Sequence, residues 1–189
     1  MASTARKEGR RIHLARLFGT AVVKNWEAPE KRKPKYRVVF QGNNVTTESW
    51  GQAEFQDLGS SPATMEAGKA IDALGCMPGF TIQQADAEQA YVQAELKGTE
   101  TWVSIPEEAW PPEWHGKYTK PCCRLLKALY GHPDSGTFWE QHCETQVRRC
   151  GFFPVDPWPS VFHHPGLNLT LSIYVDDFKM AGPVDSIAQ

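Results

Sequence analysis

Between Asn168 and Val175 the chain alternates strictly, with apolar Leu169, Leu171, Ile173 and Val175 interleaved with Thr170, Ser172 and Tyr174. A two-residue period of this kind predicts a strand with one buried face. The strand runs into Asp176-Asp177 and resumes as Phe178 to Ala181 before Gly182-Pro183, which predicts a hairpin with both aspartates at its tip. Helical spacing appears in two places. Phe138, His142, Val147 and Cys150 recur at steps of three to five within residues 137–150, predicting a helix that stops at Gly151. Met65, Lys69, Ile71 and Leu74 follow Ser61-Pro62 and predict a helix closed by Gly75. Short strands are expected at 18–24 and 36–41, flanking a Pro/Lys-rich connection, and at 81–86 and 101–105. Asp86 falls near the end of the third of these. Residues 87–96 have helical composition, 106–121 read as a Pro/Trp-rich loop and 131–136 as a turn-rich break.

Composition narrows the possibilities. Seven Trp, five Tyr and nine Phe in 189 residues give the chain enough surface to bury, so disorder as a whole is excluded. No apolar run reaches the roughly 18 residues that a bilayer-crossing helix needs, and no membrane partner is expected. The basic start of the chain lacks the apolar stretch of a secretory signal. Five cysteines, two of them adjacent and none in a C-x-x-C unit, argue against a disulfide framework or a zinc ribbon and for a reducing compartment. Charge is unevenly spread. Residues 1–37 hold eleven Lys/Arg against three Glu, whereas residues 38–189 hold nine against nineteen Asp/Glu. A basic lobe suits a polyanion, and an acidic remainder approaches phosphates only with divalent cations between.

Two adjacent aspartates in a tight turn repel each other, and a divalent cation removes that cost. Mg²⁺ is typically held by one or two carboxylates together with substrate phosphates. If the strand ending at Asp86 lay beside the Asp176-Asp177 hairpin, three carboxylates would converge in the manner of two-metal phosphoryl transfer. His163-His164, with His142, Cys143 and Cys150, match no common zinc spacing and read as strand-end and core residues.

The stretch Ile173-Tyr174-Val175-Asp176-Asp177-Phe178 resembles the Y-V-D-D signature of reverse transcriptases, and upstream segments resemble the copia-type LTR retrotransposon branch in the same order. These are Lys35 to Val39 with Gly42, Ser61-Pro62-Ala63, Gly79 to Tyr91 continuing to Glu95-Leu96, Cys123 to Gly131 with Trp139, and Cys150-Gly151-Phe152 with Asp156-Pro157. The resemblance spans about residues 20–183 and implies an α+β fold: an antiparallel palm sheet backed by helices, with part of a β-rich fingers lobe. It implies that Asp86, Asp176 and Asp177 are the catalytic carboxylates and the ligands of two Mg²⁺ ions, Mn²⁺ being an alternative. Ala87 would contact metal through its carbonyl, and Tyr91 would crowd a 2′-OH and so select deoxynucleotides. Lys24 and Arg37 would meet the triphosphate, and Tyr174 and Val175 the primer and template. Asp134 stands where the family has a glutamine that contacts the incoming nucleotide, Val92-Gln93-Ala94 replaces its L-N-G, and Thr137 replaces a basic residue.

The implied activity is RNA-directed DNA synthesis, with an RNA or DNA template-primer and deoxynucleoside triphosphates as partners, in the cytoplasm within a virus-like particle or in the nucleus. The expected organisation is a basic tail without order over residues 1–15, a fingers and palm segment over 16–183, and an end at 184–189 with thumb and RNase H portions of a polyprotein absent. An isolated segment of that kind is expected to be inactive. A catalytically silent remnant that binds nucleic acid, and an unrelated metal-dependent phosphoesterase, are the alternatives.

Overall fold

A computed structural model describes residues 1–55 and 59–188, which divide into two units, each with its own sheet: residues 1–55 with 95–135, and residues 59–94 with 136–188. In chain order the elements are α1 (Ala2–Lys7), β1 (Ile12–Lys24), β2 (Lys33–Phe40), β3 (Thr46–Thr47), α2 (Met65–Gly75), β4 (Phe80–Asp86), α3 (Ala90–Gln93), β5 (Glu100–Ser104), β6 (Cys122–Arg124), α4 (Ser135–Arg149), β7 (Phe153–Pro154), β8 (Val161–His164), β9 (Leu169–Tyr174), β10 (Asp177–Pro183) and α5 (Val184–Ile187). Among the described residues no helix is long and apolar enough to cross a membrane.

In the first unit the strand order is β2-β1-β5-β6, with β3 also paired to β1 and β1 parallel to β5. Ala15, Phe40, Val45, Ala53 and Val103 form its core. The basic hairpin is longer than its composition suggests. Lys33-Pro34-Lys35, expected in the connection, lies inside β2, because β2 is an edge strand where proline's missing N–H leaves no ladder bond unmade. Thr20 faces Arg37, Val22 faces Lys35 and Lys24 faces Lys33, so these four cationic residues share one face. The tail expected to lack order is instead a helix followed by a strand. Ala2 and Ala5, one helical turn apart, are buried, a small apolar pair hidden among charges that dominate the composition. Gly42 and Gly131, both in segments of the family resemblance, pack backbone on backbone. A Cβ on Gly42 would collide with the Gly131 carbonyl, and one on Gly131, whose φ is +90°, with the Phe40 carbonyl.

The second unit holds an antiparallel sheet of order β4-β10-β9-β8-β7. Leu171, Ile173, Phe178 and Met180 on one face meet Trp139, Cys143 and Val147, three α4 residues spaced by four. Burying an aliphatic side chain such as Leu171 or Ile173 contributes about 1.5–3 kcal/mol. Val147 is buried as the spacing suggested, but the rest of the stripe is shifted: Phe138 and His142 are half-buried beside buried Trp139 and Cys143, and Cys150 is exposed. The opposite face carries α2, whose Ala67 and Ile71 are buried and whose N-terminus is capped by the Thr64 hydroxyl accepting from the Ala67 amide at 3.2 Å. The stretch after Asp86 is helical only over α3, a single turn entered through Gln89 at a φ of 52°. Of the expected end at 184–189, Val184–Ile187 form α5 and Gln189 lies outside the described residues.

Candidate active site

Tyr174 pairs with Asp177, so the two-residue loop of the β9–β10 hairpin is Val175-Asp176, and Asp177 is the first residue of β10. This corrects the expectation that both aspartates sit at the tip. Val175 takes a φ of 57°, a left-handed conformation that costs a β-branched residue about 1–2 kcal/mol. Two donors from other elements hold the loop. The Trp139 indole Nε1 donates to the Val175 carbonyl at 2.6 Å, and the Ala87 amide donates to the Asp176 carbonyl at 2.7 Å. The second bond ties the residue after Asp86 directly to the hairpin.

Asp86 stands directly across from Asp177 in the β4–β10 register, and Tyr174 stands directly across from Asp177 on the other side. Residues paired in this way share a face, so Asp86, Asp177 and Tyr174 form one row across three strands. All three are exposed. The next row is Gln84, Lys179 and Ser172. Both rows line a cavity of about 790 Å³ under α2, together with Thr64, Lys69 and Asp72. Lys179 Nζ donates to both oxygens of Asp72, at 2.8 and 3.0 Å.

The remaining expected residues are placed as follows. Asp176 is exposed beside the row and is not among the residues lining that cavity. Ala87 contributes its amide to the turn. Tyr91, on α3, is partly buried against the cluster of Trp139, Ile173 and Phe178. Lys24, Arg37 and Asp134 belong to the first unit. Lys24 and Arg37 share the cationic face of the hairpin, and the Arg37 guanidinium lies 5.6 Å from the centre of the Tyr130 ring. Asp134 is half-buried, its amide donates to His132 Nδ1 at 3.2 Å, and burial raises its carboxyl above the usual carboxylate range. His163 and His164 serve the fold: His163 Nδ1 lies 3.2 Å from the Thr170 hydroxyl, and His164 Nδ1 accepts from the Leu167 amide.

The family model described as Reverse transcriptase (RNA-dependent DNA polymerase) matches residues 16–187. The chain belongs to the reverse transcriptase family. No curated protein matches it. Reverse transcriptases act on nucleic-acid templates with nucleotide substrates and use divalent metals, which sets a test for the aspartates. Among the described residues no group of three or more His, Cys, Asp or Glu side chains converges on one point. Two exposed carboxylates directly across a strand pair do fit Mg²⁺, which takes one or two protein carboxylates and fills its other positions from water and phosphate. Like charges placed directly opposite destabilise a strand pair, and a cation between them reverses the sign of that term.

Three features of this site were missed in the sequence. Trp139 was visible only as an aromatic in a motif, and its hold on Val175 depends on α4 crossing behind β9. The Ala87 amide carries no side-chain signal at all. Asp72 and Lys179 are 107 residues apart and meet only because α2 lies over β10.

Proposed function

We propose that the chain is the fingers and palm portion of a copia-type reverse transcriptase, with Asp86, Asp176 and Asp177 as its catalytic carboxylates. The second unit is the palm and the first the fingers. The single observation that carries this reading is the direct cross-strand pairing of Asp86 with Asp177 beside the Asp176 loop. Divalent cations bound there, Mg²⁺ or Mn²⁺, would supply neutralisation of the triphosphate and of charge developing during transfer. The protein's own part is positional. Asp86 and Asp177 present two negative charges at a fixed spacing, and the Trp139 and Ala87 bonds hold the loop still. Tyr91 walls the sugar side of the nucleotide site, and the cationic face that carries Lys24 and Arg37 suits a polyanion such as a triphosphate. Tyr174 and Val175 meet the primer end, Ala87 offers its carbonyl to a cation, and Asp134 stands in the sequence where the family carries a nucleotide-contacting glutamine.

Photo-crosslinking of radiolabelled deoxythymidine triphosphate to the 189-residue chain in the presence and absence of Mn²⁺ tests the reading. Labelling should require Mn²⁺ and be lost in Asp86→Asn and in Asp177→Asn. Labelling indifferent to both substitutions and to the cation would sink it. A second reading, a nucleic-acid-binding protein without catalysis, is favoured by the face of the β1–β2 hairpin that Lys24, Lys33, Lys35 and Arg37 share. It requires nucleic-acid binding through the cationic hairpin face to survive when both aspartates are replaced, with no Mn²⁺-dependent labelling in the unsubstituted chain.

A further inference from the structure

Lys179 follows Asp177 by two residues on β10, so the two side chains leave the same face of the sheet about 6.6 Å apart along the strand. Its cross-strand partner is Gln84, one row from Asp86. A flexible four-carbon stem allows an ammonium at this position to swing toward the Asp86–Asp177 pair. Placed there, it would neutralise one of the two charges and occupy the space between the carboxylates. In the structure the ammonium is engaged by another carboxylate. Asp72, reaching down from α2, takes the Lys179 ammonium with both oxygens, at 2.8 and 3.0 Å. Lys69, three residues earlier on α2, lines the same cavity and makes no ion pair among the described residues, so Lys179 is the cation that Asp72 engages.

The charges lining the cavity are Lys69, Asp72, Asp86, Asp177 and Lys179. The Lys179 ammonium is paired with Asp72 and not with Asp86 or Asp177. We propose that Asp72 is a positioning residue that sequesters Lys179 and thereby keeps Asp86 and Asp177 open to a divalent cation. The inference rests on the reading of those two aspartates given above. It adds a residue on another element whose function is to control a competitor, a role that contact with the cation does not require. Without Asp72 the nearest carboxylates on the same face are the two aspartates themselves, and an internal ammonium then competes with every cation from solution.

The test is Mn²⁺ binding to the 189-residue chain without nucleotide, read from the electron paramagnetic resonance signal of free Mn²⁺, with circular dichroism of each variant recorded alongside. Asp72→Asn should bind Mn²⁺ about two- to fivefold more weakly, the range expected when one exposed charge is redirected. Adding Lys179→Met to Asp72→Asn should restore affinity to the unsubstituted level or better, and Lys179→Met alone should bind at least as tightly as the unsubstituted chain. Asp72→Asn with unchanged affinity would overturn the proposal, and so would a double variant as weak as the single one, because a merely structural role for Asp72 is not rescued by removing Lys179. The variant carrying Asp86→Asn with Asp177→Asn separates the two levels. If the unsubstituted chain binds Mn²⁺ no better than that variant, the metal reading fails and takes this proposal with it; if it binds better and Asp72→Asn matches it, the proposal alone fails.

Discussion

Replacing Asp86 by asparagine should make the protein more stable in the absence of divalent cations while removing its response to them. Asp86 and Asp177 are direct cross-strand partners, a relation that sets their Cβ atoms about 4.5–5.5 Å apart. Two unit charges about 5 Å apart repel by about 0.8 kcal/mol at the dielectric constant of water and about 3 kcal/mol at an effective constant of about 20. Both residues are exposed, which favours the lower figure, and measured cross-strand charge pairs fall at about 0.2–1 kcal/mol. The expected gain for Asp86→Asn is therefore about 0.5–1 kcal/mol at low ionic strength, or a rise in melting temperature of about 1–4 °C for a chain of this size. Because screening shortens the reach of exposed charges, the gain should shrink by half or more in about 0.5 M KCl. Millimolar Mn²⁺ should raise the melting temperature of the unsubstituted chain by mass action and leave that of Asp86→Asn unchanged. Thermal unfolding of both chains followed by circular dichroism at low salt, at high salt and with Mn²⁺ measures these differences. A loss of stability on substitution at low salt, or a gain of the same size at high salt, would show that the two carboxylates do not repel across the strand pair as the register implies.

Two further outcomes follow from contacts around the site and in the first unit. Trp139→Phe keeps most of the packing against Ile173 but removes the donor to the Val175 carbonyl, and should cost about 1–3 kcal/mol in urea unfolding; a loss below about 0.5 kcal/mol would mean that the indole bond does not hold the loop. His132 is buried with ring centroids 4.8 Å from Phe40 and 5.3 Å from Phe55, and burial, with the neighbouring His13 adding to it, pushes its imidazole down to about 4. The unfolded chain binds this proton near pH 6.5 and the folded one only near pH 4, so stability is full above about pH 6.5 and falls as pH drops through that window, by up to about 3 kcal/mol. His13, also lowered by burial, adds a loss of the same sign. Urea unfolding at pH 7 and at about pH 4.5 should show the drop in the unsubstituted chain and a smaller one in His132→Phe; equal drops would assign the acid sensitivity elsewhere.

The elements legible in the sequence are those whose patterning is local. The β9 alternation, the α2 stretch from Met65 to Gly75 and the halt of α4 before Gly151, where φ is +89°, all appear at or within two residues of the expected positions. The pairing of Asp86 with Asp177 was legible only as a possibility, because a strand states its faces and not its neighbours. What escaped were features that need a partner distant in sequence. β7 is two residues long, too short for a period, and exists because Phe153 and Pro154 pair with His163 and Phe162. The loop position slipped by one residue because Asp-Asp is the better turn sequence, whereas the chain puts a strained valine there and secures it from α4.

That choice has a consequence for the chemistry. A pair of carboxylates that must stay charged and unneutralised is a liability to a strand pair, and a fold can reduce the liability by supplying cations or by supplying water. A nearby cation would lower the repulsion but fill the place that the proposed metal would take. Here the carboxylates are left exposed, where water reduces their repulsion to about 1 kcal/mol, a small part of the 5–15 kcal/mol by which domains are stable. The lysine that the strand places next to them is drawn off by α2, and the rigidity that a neutralising partner would have given is supplied instead through backbone carbonyls, at Val175 by Trp139 and at Asp176 by Ala87. Bonds to carbonyls leave the aspartate oxygens free. Under the proposed function, the loop is thereby held without using any of the carboxylate oxygens that would bind a cation.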